Sequence, residues 1–395
     1  MTQNPTDIVV VGAARTPNGR LKGGLATVPA TTLGGLAIAA ALERGGIEPS
    51  AVDTVVMGNV LQAGLGQCPA RQAALAGGLG WDVTASTVNR VCLSGLTAVI
   101  DAARALRAGD AQVAVAGGME SMTNAPHLLV GSRFGYGFGD VTVLDSMAND
   151  GLSDAWTHEA MGLDTERRLA QYPASRAEQD EVAARSHELA AKAWVDGAFD
   201  AEVVPVTVRQ RKGETVVEQD EGIRAGTSVQ TLAGLRPAFV PDGAITAGNS
   251  SSINDGGAAT VLTTRARARA EGWTVLATLR AAGQVAGPDS ALAPQPGNAI
   301  LAALAAQGWA VGDLDLLEIN EAFAAVAVHA VRQLGVSWDK VNVHGGAIAV
   351  GHPIGQSGAR LVAHMAHELH RRGGGRAAVA LCGGTGQGDA LLLEA

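Results

Sequence analysis

Apolar residues follow two rhythms along this chain. Short unbroken runs, such as those within Asp7 to Val11, Val52 to Met57 and Gln112 to Ala116, have the length of strands buried on both faces. Between them, Leu33 to Leu42, Ala70 to Leu75 and Leu96 to Leu106 space their apolar residues as helices do. Thr87 to Arg90 reads as the end of a further buried strand, and Gly109-Asp110 stops the helix after it. Strands alternating with helices at these lengths predict an α/β layered core.

The pattern then returns. Leu314 to Glu318 parallels Val52 to Val56, the turn and helix from Ser357-Gly358 parallel Ser94-Gly95, and Ala377 to Leu381 parallels the strand before Gly117. All three pairs are about 265 residues apart, which indicates a duplicated βα unit. Two similar halves facing each other would bring equivalent turns to one interface. The expected organisation is a first half of residues 1–120 with 248–272, a second half of residues 273–395, and an inserted loop subdomain of residues 121–247. The insert holds a Gly/aromatic loop from Ser132 to Gly139 and a charged, strand-like stretch ending at Glu221. Between them lies an amphipathic helix from Ser175 to Asp196, with Ser175 and Glu178 spaced as a capping box.

Composition narrows the class. Apolar residues make up 47% of the 395 and charged residues 17%, so much of the surface should lie against another subunit. The net charge of −9 argues against nucleic acid or an anionic membrane as the main partner. An anionic ligand still fits where basic residues and helix N-termini converge. Cys68, Cys92 and Cys382 are too few and too scattered for a disulfide framework, and none forms the C-x-x-C pair of a structural zinc site. A reducing, cytoplasmic setting is expected, with no targeting leader, no peroxisomal C-terminus and no apolar run near the roughly 20 residues that span a bilayer.

Cys92 stands where a strand turns into a helix, in Asn89-Arg90-Val91-Cys92-Leu93-Ser94-Gly95. Free backbone N–H groups and the positive end of the helix dipole there favour thiolate, the condition for a nucleophilic cysteine. A small apolar residue at a tight turn is the alternative. Three later stretches bear on the choice: Asn320-Glu321-Ala322-Phe323 after a buried strand, His344 to Gly355 with His352 hemmed by glycines and a proline, and Cys382-Gly383-Gly384-Thr385-Gly386. Taken singly, a loop histidine is more often structural, and a glycine run after a cysteine is only a turn.

Together these motifs resemble the thiolase family, acyl-CoA C-acyltransferases, over nearly the full length. The resemblance includes Ala14-Arg15-Thr16-Pro17, Gly117 to Met122, Ala247 to Ser251 and Asn254-Asp255-Gly256. It implies the thiolase fold, two similar βα halves in a layered αβαβα core with an inserted loop subdomain. It implies Cys92 as the acylated nucleophile, His352 as its activator and Cys382 as the proton donor and acceptor. By the same resemblance Asn320 holds a water that completes one oxyanion hole with His352, and the N–H groups of Cys92 and Gly384 form the other. Ser251 would meet the pantetheine arm of coenzyme A, Arg224 and Thr231 its nucleotide end, and Met161 the acyl pocket beside it. Coenzyme A is then a substrate, with no separate cofactor or metal. The partners are acyl-CoA, acetyl-CoA and CoA in fatty acid metabolism, in a homodimer or homotetramer.

The chemistry asks for these residue types. Cleaving a 3-ketoacyl thioester needs a soft nucleophile at the ketone carbon, and the enzyme-bound thioester is then activated for free CoA. The enolate expelled needs donors at its oxygen and an acid near carbon. A thiol titrating near about 8.5 can serve in both directions. Arg15 reads as a structural ion-pair partner, and His364, His367 and His370 as a solvated helix face rather than a zinc site. Ala160 stands where acetoacetyl-type thiolases carry histidine, and Leu292 where family members often carry methionine. Two rivals differ at named positions. A ketoacyl synthase would pair its nucleophile with two histidines, whereas Asn320 occupies the first histidine's place. A non-catalytic acyl-CoA binder would lack some of Cys92, His352 and Cys382.

Overall fold

The computed structural model describes residues 4–211 and 213–395. Nine longer strands form its main sheet: β1 Ile8–Arg15, β2 Thr54–Gly58, β3 Thr84–Val88, β4 Val113–Ser121, β5 Asn254–Thr264, β6 Ala277–Ala286, β7 Leu316–Ile319, β8 Arg376–Gly383 and β9 Gln387–Glu394. The principal helices are α1 Ala30–Gly45, α2 Pro69–Ala76, α3 Ser94–Ala108, α4 Arg176–Val195, α5 Gln295–Gln307, α6 Ala324–Leu334 and α7 Ser357–Arg372. The strand order is β7-β8-β9-β6-β1-β5-β4-β2-β3, with the short Gly19–Arg20 strand paired to β5. Read outward from the middle, β1-β5-β4-β2 and β6-β9-β8-β7 are the same arrangement twice. Their seam is narrow, two antiparallel pairs, Val9 with Thr278 and Val10 with Ala277.

Alternation along the strands builds the layers, because successive side chains point to opposite faces. Ile8 and Val10 of β1, Ala114 and Ala116 of β4, and Val379 and Leu381 of β8 bury against α3 and α7. Val9, Val11, Val113 and Val115 face the other way, onto α1 and α2. In the second half Leu317, Ile319, Ala378 and Ala380 face α5 and α6. The result is the αβαβα layering, with α3 and α7 as the middle layer.

Glycines set how close those two helices come. A Cβ on Gly358 would stand 2.3 Å from the backbone nitrogen of Leu96, and one on Gly95 would stand 2.7 Å from that of Ala359. The N-termini of α3 and α7 therefore lie side by side, and so do the turns that feed them.

Between β4 and β5 the chain leaves the layers. It forms α4, whose Ser175 and Glu178 make both bonds of the capping box, and a hairpin of Val206–Gln210 with Gly213–Val217. Arg15 ties this segment to β1 through Glu202 at 2.6 Å and Asp220 at 2.7 Å, all three buried, so its reading as a structural ion-pair partner holds. The reading of the α7 histidines does not. His364 is buried and 2.7 Å from Glu202, His367 is partly buried against the Ala13 carbonyl at 2.9 Å, and of the three only His370 is exposed. Glu202 reaches α7 from a distant part of the chain, which helical spacing does not report. Among the described residues no helix is long and apolar enough to cross a membrane, and no group of histidine, cysteine and acidic side chains could hold a metal ion.

Candidate active site

After β3 the chain turns through Asn89 to Leu93 into α3. Asn89 Oδ1 accepts from the Val91 N–H at 3.0 Å. The Ser94 hydroxyl accepts from the Arg90 N–H at 2.9 Å and donates to the Val91 carbonyl at 2.6 Å. The Arg90 guanidinium meets Asp389 at 2.8 Å and Gln387 at 2.7 Å, both on β9. These bonds hold Val91 at φ 51°, a strained conformation for a β-branched residue. Cys92 follows, half-buried in the wall of a cavity.

The loop before α7 faces this turn. Gly351 has φ 99°, and a Cβ there would stand 2.7 Å from the Asn254 side chain. Asn254 Oδ1 accepts the His352 backbone N–H at 2.9 Å. The His352 ring is buried, with Nδ1 2.6 Å from Ser357 Oγ. That hydroxyl lies 2.8 Å from the Pro353 carbonyl, which can only accept. The Ser357 proton therefore goes to Pro353, Ser357 accepts from Nδ1–H, and Nε2 keeps its lone pair. Asn320, fully buried, places Nδ2 3.5 Å from Nδ1 and 3.4 Å from Nε2, touching the ring without a short bond to either nitrogen. Burial, with the charge of Arg360, pushes the imidazole down to about 3. It is a neutral base.

Cys382, at the end of β8, is 1% exposed. Burial and the neighbouring Cys92 raise its thiol. Burial also pushes Cys92 up to about 12, against hydrogen bonds from the Gly384 N–H and its own. The expectation of a resting thiolate at the helix entrance is thus overturned, because loss of water outweighs those donors. Both thiols are protonated at rest, and a thiolate must be made by proton transfer.

Cys92, His352, Cys382 and Gly384 line one cavity of about 240 Å³, while Asn320 sits behind His352 rather than in the wall. The remaining wall is mostly apolar and includes Ala160, Met161, Leu292 and Phe323. Phe239 packs on Phe323 edge to face at 6.4 Å, and a Cβ on Gly162 would strike its ring. Ser251 also lines the cavity, its hydroxyl donating to the Ala322 carbonyl at 2.9 Å. Arg224 and Thr231 do not line it. Both are exposed; the Arg224 N–H donates to His187 Nδ1 at 3.2 Å, and Thr231 closes the cap of a short helix with Ser228.

Sequence reading assigned no role to Ser357, Glu120 or Glu321. Glu321 is buried, accepting from Ser186 at 2.7 Å, Asn342 at 2.8 Å and the Ile348 N–H at 3.2 Å. Each glutamate belongs to a motif already noted, and a charged residue near the end of a buried strand, within it for Glu120 and two residues past it for Glu321, was the available signal.

Two thiols and a neutral imidazole thus meet in one cavity at the junction of two like βα halves. A family model described as "Thiolase, N-terminal domain" matches residues 8–266, and one described as "Thiolase, C-terminal domain" matches residues 273–395. The chain belongs to the thiolase family. It is 54% identical to a "Probable acetyl-CoA acetyltransferase" of Mycobacterium leprae, over 99% of this chain and 100% of that protein. It is 47% identical to an "Acetyl-CoA acetyltransferase" of Cupriavidus necator, over 98% and 99%. The crystal structure of the Bacillus anthracis acetyl-CoA acetyltransferase superposes with a TM-score of 0.96 at 39% identity, covering 100% of both chains.

Proposed function

We propose that this chain is an acyl-CoA C-acyltransferase that cleaves 3-ketoacyl-CoA with free CoA, or condenses acyl-CoA with acetyl-CoA, through an acyl group carried on Cys92. The convergence of Cys92, Cys382 and the bare Nε2 of His352 on one apolar cavity carries this reading. In cleavage, His352 Nε2 takes the Cys92 proton and the sulfur bonds to the substrate's ketone carbon. The bond between the α and β carbons breaks, its electron pair becomes an enolate, and Cys382 protonates that carbon. His352 returns its proton to Cys382, and acetyl-CoA leaves. CoA then gives its thiol proton to His352, its sulfur takes the acyl group, and the released Cys92 sulfur recovers that proton. The N–H groups of Cys92 and Gly384 would serve one oxygen, and His352 with a water held by Asn320 the other.

The names of the relatives support acetyl-CoA and CoA as substrates. Ser251 and Met161 would meet the pantetheine arm and acyl group, while the exposed Arg224 and Thr231 would meet only the nucleotide end. Three free cysteines suit a cytoplasmic protein. The bare side chains of Phe134 and Phe138 suit an assembly of copies, a homodimer or homotetramer. The test follows acetoacetyl-CoA by its enolate absorbance with and without free CoA. CoA-dependent loss with two acetyl-CoA formed is expected; no loss would overturn the reading.

A further inference from the structure

Glu120, the penultimate residue of β4, is fully buried with no cation bonded to it. It is surrounded by donors. Oε1 accepts from Asn59 Nδ2 at 2.7 Å and the Leu61 N–H at 3.1 Å, and Oε2 accepts from the Val60 and Gly355 N–H groups, each at 3.0 Å. Three of these donors belong to the segment after β2, in the first half. The fourth lies three residues past His352, in the second. The contact is tight, since a Cβ on Gly355 would stand 2.7 Å from Glu120 Oε2 and one on Gly118 would stand 2.1 Å from the Gly355 carbonyl. The Val60 carbonyl in turn accepts from Asn89 Nδ2 at 3.4 Å, and Asn89 opens the turn that presents Cys92.

We propose that Glu120, as an ionised carboxylate, is a positioning residue that clamps the His352 loop to the segment supporting the Cys92 turn, and so sets the thiol-to-imidazole proton transfer. This rests on the acyl-transfer reading above. Only a carboxylate fits four donors: an amide would turn its NH2 against two N–H groups, and a protonated acid would turn its hydroxyl against one. Misalignment of reacting groups by about 1 Å can cost about 100-fold in rate. Burial pushes the Glu120 carboxyl up to about 7 against its backbone donors, with Asp255 on β5 adding to the rise. The titratable groups around it are Asp255, Cys92 and, in the clamped loop, His352. His352 is neutral down to about 3 and Cys92 protonated up to about 12, so neither produces an acid limb near neutrality.

Single-turnover acylation of Cys92 by acetyl-CoA, followed from mildly acidic to mildly alkaline pH with CoA affinity measured alongside, tests the clamp. Wild type should lose acylation rate on the acid side of about 7 without losing CoA affinity. Glu120→Gln should acylate about 10- to 100-fold more slowly at every pH, bind CoA as wild type does, and lack the acid limb. Glu120→Asp, which keeps the charge on a shorter stem, should restore the limb. A Gln variant that acylates at the wild-type rate, or loses acylation only in proportion to its folded fraction, would overturn the clamp. Should that variant not fold, the wild-type profile decides, and a flat acid side contradicts the proposal. A wild type that takes up no acyl group would instead overturn the functional reading on which the clamp rests.

Discussion

The turns into α3 and α7 each end on a serine at the first helical position, with its hydroxyl closed onto a nearby carbonyl, Ser94 on Val91 and Ser357 on Pro353. What each serine accepts differs. Ser94 takes the backbone N–H of Arg90, which fixes a strained turn and leaves Cys92 in the cavity wall. Ser357 takes Nδ1–H of His352, which fixes a tautomer and leaves Nε2 bare. One helix-entry device, used twice, thus presents Cys92 from one half and the His352 imidazole from the other. The mutual seating of α3 and α7 decides whether the two meet.

That seating is the first thing to break. Gly358→Leu would drive a side chain onto the backbone of Leu96, and a loss of about 3 kcal/mol or more in chemical denaturation is expected. Gly109→Ala, at the open left-handed end of α3 with nothing near its Cβ, should cost only about 1 kcal/mol. Equal losses would mean that the helix contact is not what holds the halves together.

The paired serines separate the two uses. Ser357→Ala should slow acylation about 10- to 100-fold, because the His352 tautomer is no longer selected, with stability changed by about 1 kcal/mol. Ser94→Ala leaves a backbone N–H without its acceptor, so stability should fall by about 1–3 kcal/mol while the pH dependence of acylation stays as in wild type. Identical effects of both substitutions would erase the distinction.

A smaller effect distinguishes the helices away from the cavity. α7 carries the buried His364–Glu202 pair, whereas Asp101 on α3 meets Arg104 at the surface. Burial acts to lower His364, but the Glu202 charge and hydrogen bond raise it above its ordinary value. Its stabilisation is therefore full below the ordinary histidine range and is lost as pH rises through the raised value. Melting temperature should fall modestly over that window, and His364→Gln should remove the dependence.

The sequence showed some of this and hid the rest for physical reasons. Ile8 to Val11 and the run before Gly117 read as strands because apolar side chains fill both faces. β5 does not, since it begins Asn-Asp-Gly-Gly-Ala-Ala, where α1 presses onto backbone: a Cβ on Gly257 would stand 2.4 Å from the Leu33 carbonyl. Cys92, His352 and Cys382 stood out as short motifs, and the structure brings them to one cavity. The Cys92 protonation state was misread, because a local dipole can be seen in sequence and desolvation by distant residues cannot. Glu120 was hidden for a related reason: its meaning lies in four donors from two remote segments.

The central claim, that Cys92 receives the acyl group while Cys382 handles only protons, is tested most directly by mass spectrometry of the protein quenched after mixing with acetyl-CoA. Wild type and Cys382→Ser should each carry one acetyl group, on the peptide containing Cys92, while Cys382→Ser fails to exchange the α-protons of acetyl-CoA. An acetyl group on the Cys382 peptide, or α-proton exchange by Cys382→Ser at the wild-type rate, would contradict the account.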